Sequence, residues 1–201
     1  MKINTNYNRI IFGKTLAAKC DLRRQNHRKV ECNILELNLE EDKDYFDKLT
    51  TSRNWQEAWY LWDMDEEFNS DVTGERTYVL ESNAGRCLGY IVMRTDFDNP
   101  EEEELIYLET CPKYQTRREK RPLKYIGETL LSFAIGKLDR NKTKSVKITA
   151  YSANGEIFYK ENCGFTECND EARTLFLPRK KFSSLIKKNE THTNSKIRYI
   201  V

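Results

Sequence analysis

Histidine is scarce in this sequence, long apolar runs are missing, and nothing repeats. Each shortage closes off a class of function. The two histidines, His27 and His192, leave little basis for a His/Cys metal centre. Cys20, Cys32, Cys87, Cys111, Cys163 and Cys168 are scattered without a Cys-x-x-Cys, which argues for reduced thiols and against a disulfide framework. No run approaches the ~20 apolar residues of a membrane helix. The opening Met-Lys-Ile-Asn-Thr-Asn has no apolar signal segment. The expectation is a soluble, cytoplasmic protein. There is no internal repeat and no low-complexity linker. What is present suits one domain with peripheral additions: 201 residues, 38% hydrophobic and 33% charged.

The net charge of +2 conceals a strong segregation. Residues 1–30 carry 8 basic and 1 acidic side chain, residues 31–110 carry 6 and 22, and residues 111–201 carry 20 and 9. Solvated surface accounts for any single cluster. Over the whole chain, the pattern fits an anionic ligand on the C-terminal half and a cationic one near the acidic middle.

Periodicity gives the element order. Residues 8–20 and 29–39 read as the strands of an N-terminal hairpin, with a polar turn over 21–28. Residues 38–49 begin an acidic helix. Trp55, Trp59, Trp62 and Phe68 then share a helical face, best read as core packing, with an aromatic wall beside a substrate as the other reading. Strands are expected over 77–81 and 87–94 around the turn Asn83-Ala-Gly85, and over 104–111 after a polar loop. A basic loop runs from Lys113 to Tyr125, and a helix from Gly127 to Leu138. A strand follows at 145–151 and a short helix at 154–162, capped by Asn154 and ended by Gly164. A strand pair closes the order at 165–167 and 174–177. Residues 183–201 read as a loose tail, with Ile197–Val201 able to dock as an edge strand. Strand, loop, helix and strand in that order form a crossover with parallel strands, preceded by antiparallel hairpins.

The loop Lys120-Arg-Pro-Leu-Lys-Tyr-Ile-Gly127 narrows to a glycine and runs into the helix opening with Leu130-Leu131. Free N–H groups at a helix start, helped by the helix dipole, make an anion site. Further on, Phe158-Tyr-Lys-Glu-Asn-Cys-Gly-Phe165 places a tyrosine near the end of a short helix. Leu108-Glu-Thr-Cys-Pro112, Pro122-Leu-Lys-Tyr-Ile-Gly127, Leu130-Leu131, Asn154 and Phe158–Phe165 follow one another over residues 76–168. In that order they resemble the GNAT (Gcn5-related) N-acetyltransferases. The family run is Leu-x-Val-x-Pro, then Gln/Arg-x-x-Gly-x-Gly/Ala, x-x-Leu-Leu, and Phe-Tyr-x-x-x-Gly-Phe.

The resemblance implies an α+β fold: a mixed, mostly antiparallel central sheet with helices on both faces. The divisions are an added hairpin at 1–31, the acetyltransferase domain at 32–182 and a tail at 183–201. It implies acetyl-CoA as donor and direct transfer to an amine. The backbone of Leu108 and Thr110 would hold the pantetheine arm and polarise the thioester carbonyl. Arg121, Lys124, Tyr125, Ile126, Gly127, Glu128 and Thr129 would cradle the phosphates. Tyr159 would protonate the leaving thiolate, and Glu104 would act as base through a water, with Glu109 as second candidate. Asn154 would cap its helix, touch the pantetheine arm, or both. Cys111 and Cys163 read as small packing residues. Two departures stand out: Pro122 replaces the usual Gln/Arg, and Tyr125 replaces the first loop glycine. Tyrosine disfavours positive φ, so the expectation is a loop that curves without a left-handed residue there, or a Tyr125 that points outward. Lys113, Arg117, Arg118 and Lys120 could add cations to the loop.

The acceptor is expected to be a cationic amine, approached past Asp42, Asp44, Asp47, Asp63, Asp65, Glu66 and Glu67. Two alternatives remain. One is a non-catalytic acyl-CoA binder. The other is an acetyltransferase on an RNA-associated substrate, using Arg23, Arg24, His27, Arg28, Lys29 and the loop cations. A monomer or homodimer fits either.

Overall fold

The computed structural model describes residues 14–24, 26, 28–37, 42, 44–45, 75–95, 99, 101–114, 122–140, 143–150, 152–168 and 173–200. Its strands are β1 (Thr15–Arg24), β2 (Lys29–Leu37), β3 (Glu75–Ser82), β4 (Cys87–Thr95), β5 (Glu102–Thr110), β6 (Leu123–Lys124), β7 (Ser145–Thr149), β8 (Thr166–Glu167), β9 (Thr174–Pro178) and β10 (Arg198–Tyr199). The helices are α1 (Ile126–Arg140), α2 (Ala153–Ile157) and α3 (Phe182–Thr193). One ten-stranded sheet runs in the order β10-β1-β2-β3-β4-β5-β7-β9-β8, with β6 also on β1. Every pairing is antiparallel except β5 with β7, the two strands joined by the α1 crossover. Among the described residues no helix is long and apolar enough to cross a membrane. The acidic helix expected from 38 and the Trp stripe lie almost wholly outside the described residues.

Alternation divides the sheet into two faces. One face carries the main core: Leu22, Ile34, Leu80, Ile91, Met93 and Leu105 meet Leu130, Leu131, Phe133 and Ile135 of α1. The other carries a smaller cluster of Leu37, Val79, Tyr90, Val92 and Cys111. A close approach fixes where α1 begins. A Cβ at Gly89 in β4 would stand 2.7 Å from the Glu109 carbonyl oxygen and 2.9 Å from Ile126 Cγ2. Only a residue without a side chain lets the first turn of α1 settle on β4 and β5.

The sequence reading needs three corrections here. β1 continues to Arg24, through part of the segment read as a turn. β5 starts at Glu102, inside the segment read as a polar loop. Cations stabilise that acidic start: Glu102 meets Lys147 at 3.0 Å, Glu103 meets Arg76, and Glu104 meets Arg94 at 2.7 Å. The third correction concerns the tail. Residues 182–193 form α3, which packs on α1 through buried Phe182, Leu185, Asn189 and Thr193. Two of those four core positions are polar, and this hid the helical stripe. The edge strand expected near the end is β10, paired with β1 at Ala18 and Lys19.

Gly89→Ala should destabilise the fold by about 1–3 kcal/mol through overpacking. Urea unfolding followed by circular dichroism measures it, and an unchanged midpoint would show that α1 shifts without cost.

Candidate active site

The site begins with a failure of pairing. β5 and β7 are in register only from Glu102↔Ser145 to Leu105↔Ile148. At the next residue β5 bulges: Val92 faces Tyr107 and Met93 faces Leu105, so Ile106 is the extra residue. A bulge bends its strand. β7 stays with β9, and the Ala150 N–H donates to the Arg173 carbonyl at 3.1 Å. The two strands therefore diverge past Leu105. The Cys111 N–H donates to the Leu88 carbonyl at 2.9 Å, which sets the alternation of the ladder. Cys111 and Glu109 turn their backbone groups to β4. Leu108 and Thr110 turn theirs to the side that β7 has left.

The start of α1 closes one side of this opening. Tyr125 precedes the helix, and its carbonyl accepts from the Thr129 N–H at 2.9 Å. The N–H groups of Ile126, Gly127 and Glu128 have no acceptor among the described residues, as the first turn of a helix requires. The Thr129 amide is committed, and its buried hydroxyl donates to Asn189 Oδ1 at 3.2 Å. Lys124 lies opposite Arg23 in the β1–β6 pairing, with Leu123 opposite Arg24. The N-terminal strand thus brings cations to the loop. Arg121, Arg117, Arg118 and Lys120 lie outside the described residues.

Tyr125 overturns the expectation of a loop without a left-handed residue. Its φ is 68°, the region that glycine usually fills. For a non-glycine residue this costs roughly 1–2 kcal/mol. Its ring does not project free into solvent. It stacks on His192 of α3, with centroids 5.1 Å apart and planes at 23°, a contact of about 0.5–1.5 kcal/mol. His192 Nδ1 lies 3.2 Å from Oε2 of the buried Glu128. Sequence reasoning missed His192 because it sat in the supposed tail.

The Phe-Tyr segment closes the other side. Ser152 is the N-cap of α2, its Oγ accepting from the Gly155 N–H at 3.0 Å. This corrects the reading of Asn154 as cap. Asn154 lies one residue into the helix, is exposed, and its carbonyl accepts from the Phe158 N–H. After α2 the chain makes a π turn, Phe158–Asn162. The family spacing from Tyr to Gly is three residues and here it is four. A π turn takes up one extra residue. Gly164 follows at φ 78°, and the Phe165 N–H returns to the Tyr159 carbonyl at 3.0 Å. Tyr159 is buried between Phe158 and Phe165, with ring centroids at 5.2 and 5.5 Å. Burial, helped by neighbouring Cys163, pushes its phenol well above the ordinary value. The three parts converge at Gly127, where a Cβ would lie 3.6 Å from Phe158 Cζ and 3.7 Å from Thr110 Oγ1.

The two candidate bases stand apart. Glu104 lies where β5 is still paired with β7, and its carboxylate takes the Arg94 guanidinium at 2.7 Å. Glu109 lies at the diverging end and accepts from the Tyr90 hydroxyl at 2.8 Å. Burial and that carboxylate hold the Tyr90 phenol far up. Beside it, the Tyr45 hydroxyl donates to buried Glu81 at 2.9 Å, and Lys14 lies over the Tyr45 ring. Burial outweighs the acidic neighbours and lowers the Lys14 ammonium.

Among solved structures, a chain of the KacTA–DNA complex aligns with a TM-score of 0.50 at 19% identity, over 72% of this chain and 85% of that one. A chimera of the spermidine N-acetyltransferase SpeG from Vibrio cholerae and hSSAT aligns with a TM-score of 0.52 at 14% identity, over 76% and 98%. A protein of Exiguobacterium sp. 255-15 aligns with a TM-score of 0.53 at 18% identity, over 76% and 97%. This is the GNAT fold. No protein-family model matches the sequence, and no curated protein does. In GNAT terms, the diverging β5 and β7, the start of α1 and the Phe-Tyr turn occupy the expected places in the chain order.

All six thiols are free, and burial raises those of Cys20, Cys87, Cys111 and Cys163, with Cys32 pushed up to about 12. Protonated and mostly enclosed, these five should resist iodoacetamide at about pH 8 in the native state, while Cys168 reacts first. Mass spectrometry before and after urea unfolding checks this. Early labelling of Cys163 would show that the Tyr159 turn opens.

Proposed function

We propose that the protein is an acetyl-CoA-dependent N-acetyltransferase acting on a cationic amine. One observation carries the reading: the diverging end of β5, the first turn of α1 and the Tyr159 turn meet around Gly127. The residues present suit the donor. Three helix-start amides with Lys124 and Arg23 beside them suit a diphosphate. The Leu108 and Thr110 backbone suits an amide-bearing arm laid along a strand edge.

When bound, acetyl-CoA supplies the acetyl thioester that the amine attacks. The chain's own work is to hold and move protons. The backbone at Leu108 and Thr110 orients the donor, and an amide there is placed to polarise a carbonyl. An amine acceptor must lose a proton before it attacks. Glu104 takes that proton through a water, with Arg94 fixing its carboxylate. Tyr159 gives its proton to the departing sulfur. Because burial raises its pKa, the phenol stays protonated across the working range. Asn154 and Arg121 belong to the same proposal, as contacts to the arm and the phosphates.

The alternatives rest on particular residues. Tyr125 suggested a non-catalytic binder, yet it takes the left-handed turn that the loop needs. Arg23 and Arg24 suggested an RNA surface; their backbones pair with Lys124 and Leu123, and Arg24 is exposed. The acidic approach rests on Asp42, which is buried, Asp44, which is exposed, and residues outside those described.

The test is release of free CoA thiol from acetyl-CoA with spermidine, basic peptides and neutral amino acids as acceptors. Turnover should favour the cationic amines. Preference for neutral or acidic acceptors would discard that class, and no turnover with any would discard the enzyme reading. Tyr159→Phe should lower kcat roughly 100-fold or more with CoA affinity kept. A raised phenol pKa means the acid form is lost only above the ordinary value of 10.0. Wild-type kcat should therefore not fall between about pH 7 and about pH 9.

A further inference from the structure

The last turns of α3 reach three positions at the start of α1: Tyr125 just before it, and Glu128 and Thr129 in its first turn. The His192 ring stacks on Tyr125, His192 Nδ1 lies 3.2 Å from Glu128 Oε2, and Asn189 Oδ1 accepts from the Thr129 hydroxyl. That same C-terminal end of α3 is itself held. Asn194 takes a left-handed φ of 51°, its carbonyl accepts from Lys29 Nζ at 2.7 Å, and the His192 carbonyl accepts from Arg23 Nη1 at 3.3 Å. The Ser195 hydroxyl donates to Asp21 at 2.7 Å. The N-terminal hairpin therefore anchors α3, and α3 braces the loop.

A glycine holds a left-handed turn at no steric cost, but a tyrosine needs something to keep it there. We propose that His192 is a positioning residue for the cofactor. It clamps Tyr125 in the left-handed turn, so that the amides of Ile126, Gly127 and Glu128 stay aimed at the diphosphate of the donor. His192 does this work through Tyr125 and does not touch the ligand. It also engages the buried Glu128 carboxylate, a second contact between α3 and the first turn of α1. The C-terminal helix becomes part of the phosphate site, and the tyrosine becomes a substitution that functions only with its partner. This rests on the acetyl-CoA reading of the site.

The experiment is a double-mutant cycle on the full chain, read by CoA titration calorimetry, steady-state kinetics and thermal unfolding. His192→Ala should weaken CoA binding roughly tenfold and raise the acetyl-CoA KM by a similar factor, with kcat within about twofold. His192→Phe keeps a stacking ring and should recover most of the affinity. In a Tyr125→Gly background, His192→Ala should change CoA affinity by less than about twofold, because glycine needs no clamp. Unchanged CoA affinity in His192→Ala would overturn the clamp, even if its Tm fell. So would an equal loss with and without the tyrosine. Failure of the wild-type chain to bind CoA would overturn the cofactor reading instead, and the clamp's ligand with it.

Discussion

The parallel pairing of β5 with β7 ends after four residues, and the rest of the site depends on that ending. Past Leu105 the backbone groups of Leu108 and Thr110 face the side that β7 has left. The bulge at Ile106 bends β5 away, and the β7–β9 pairing holds the other lip. A sheet that stayed zipped would bury Leu108 and Thr110 in the ladder and leave no room beside them. The opening is thus a property of the sheet itself, built before any catalytic side chain is considered.

Around that opening the molecule trades small side chains for close approach. Gly89 lets α1 press its first turn against β4. Gly136 does the same further along, where a Cβ would collide with the Tyr199 hydroxyl. That hydroxyl donates to the Phe133 carbonyl at 3.2 Å, so α1 is tied to β10 as well as to α3. The helix that presents its N-terminus to the site is held along its length by the last residues of the chain. Under the acetyl-CoA reading, pre-organisation of this kind would keep the phosphate site from having to be assembled on binding.

Much of this was legible in the sequence. The apolar periodicity of 127–138 gave α1, the Asn83-Ala-Gly85 turn gave the β3–β4 hairpin, and the strand–loop–helix–strand order gave the one parallel pair. Three things were not legible, each for a physical reason. The start of β5 was hidden because its glutamates are stabilised by Arg76, Arg94 and Lys147 from other strands. α3 was hidden because Asn189 and Thr193 occupy core positions, one receiving the Thr129 hydroxyl and the other donating to the Asn189 carbonyl. The left-handed Tyr125 was hidden because its support lies more than sixty residues away. Local sequence signals report local energies, and all three features are decided by tertiary partners.

The π turn at Phe158–Asn162 limits which deletions the chain can tolerate. An α-helix advances about 100° per residue, so removing one residue would swing Tyr159 a quarter-turn or more relative to Phe165. Two lysines hold the end of this turn: Lys188 Nζ donates to the Asn162 carbonyl at 2.7 Å and Lys181 Nζ to the Gly164 carbonyl at 2.8 Å. Such a deletion would strand both lysines and misplace the tyrosine. The length of this turn is therefore fitted to groups outside it, on both sides of α3's first half.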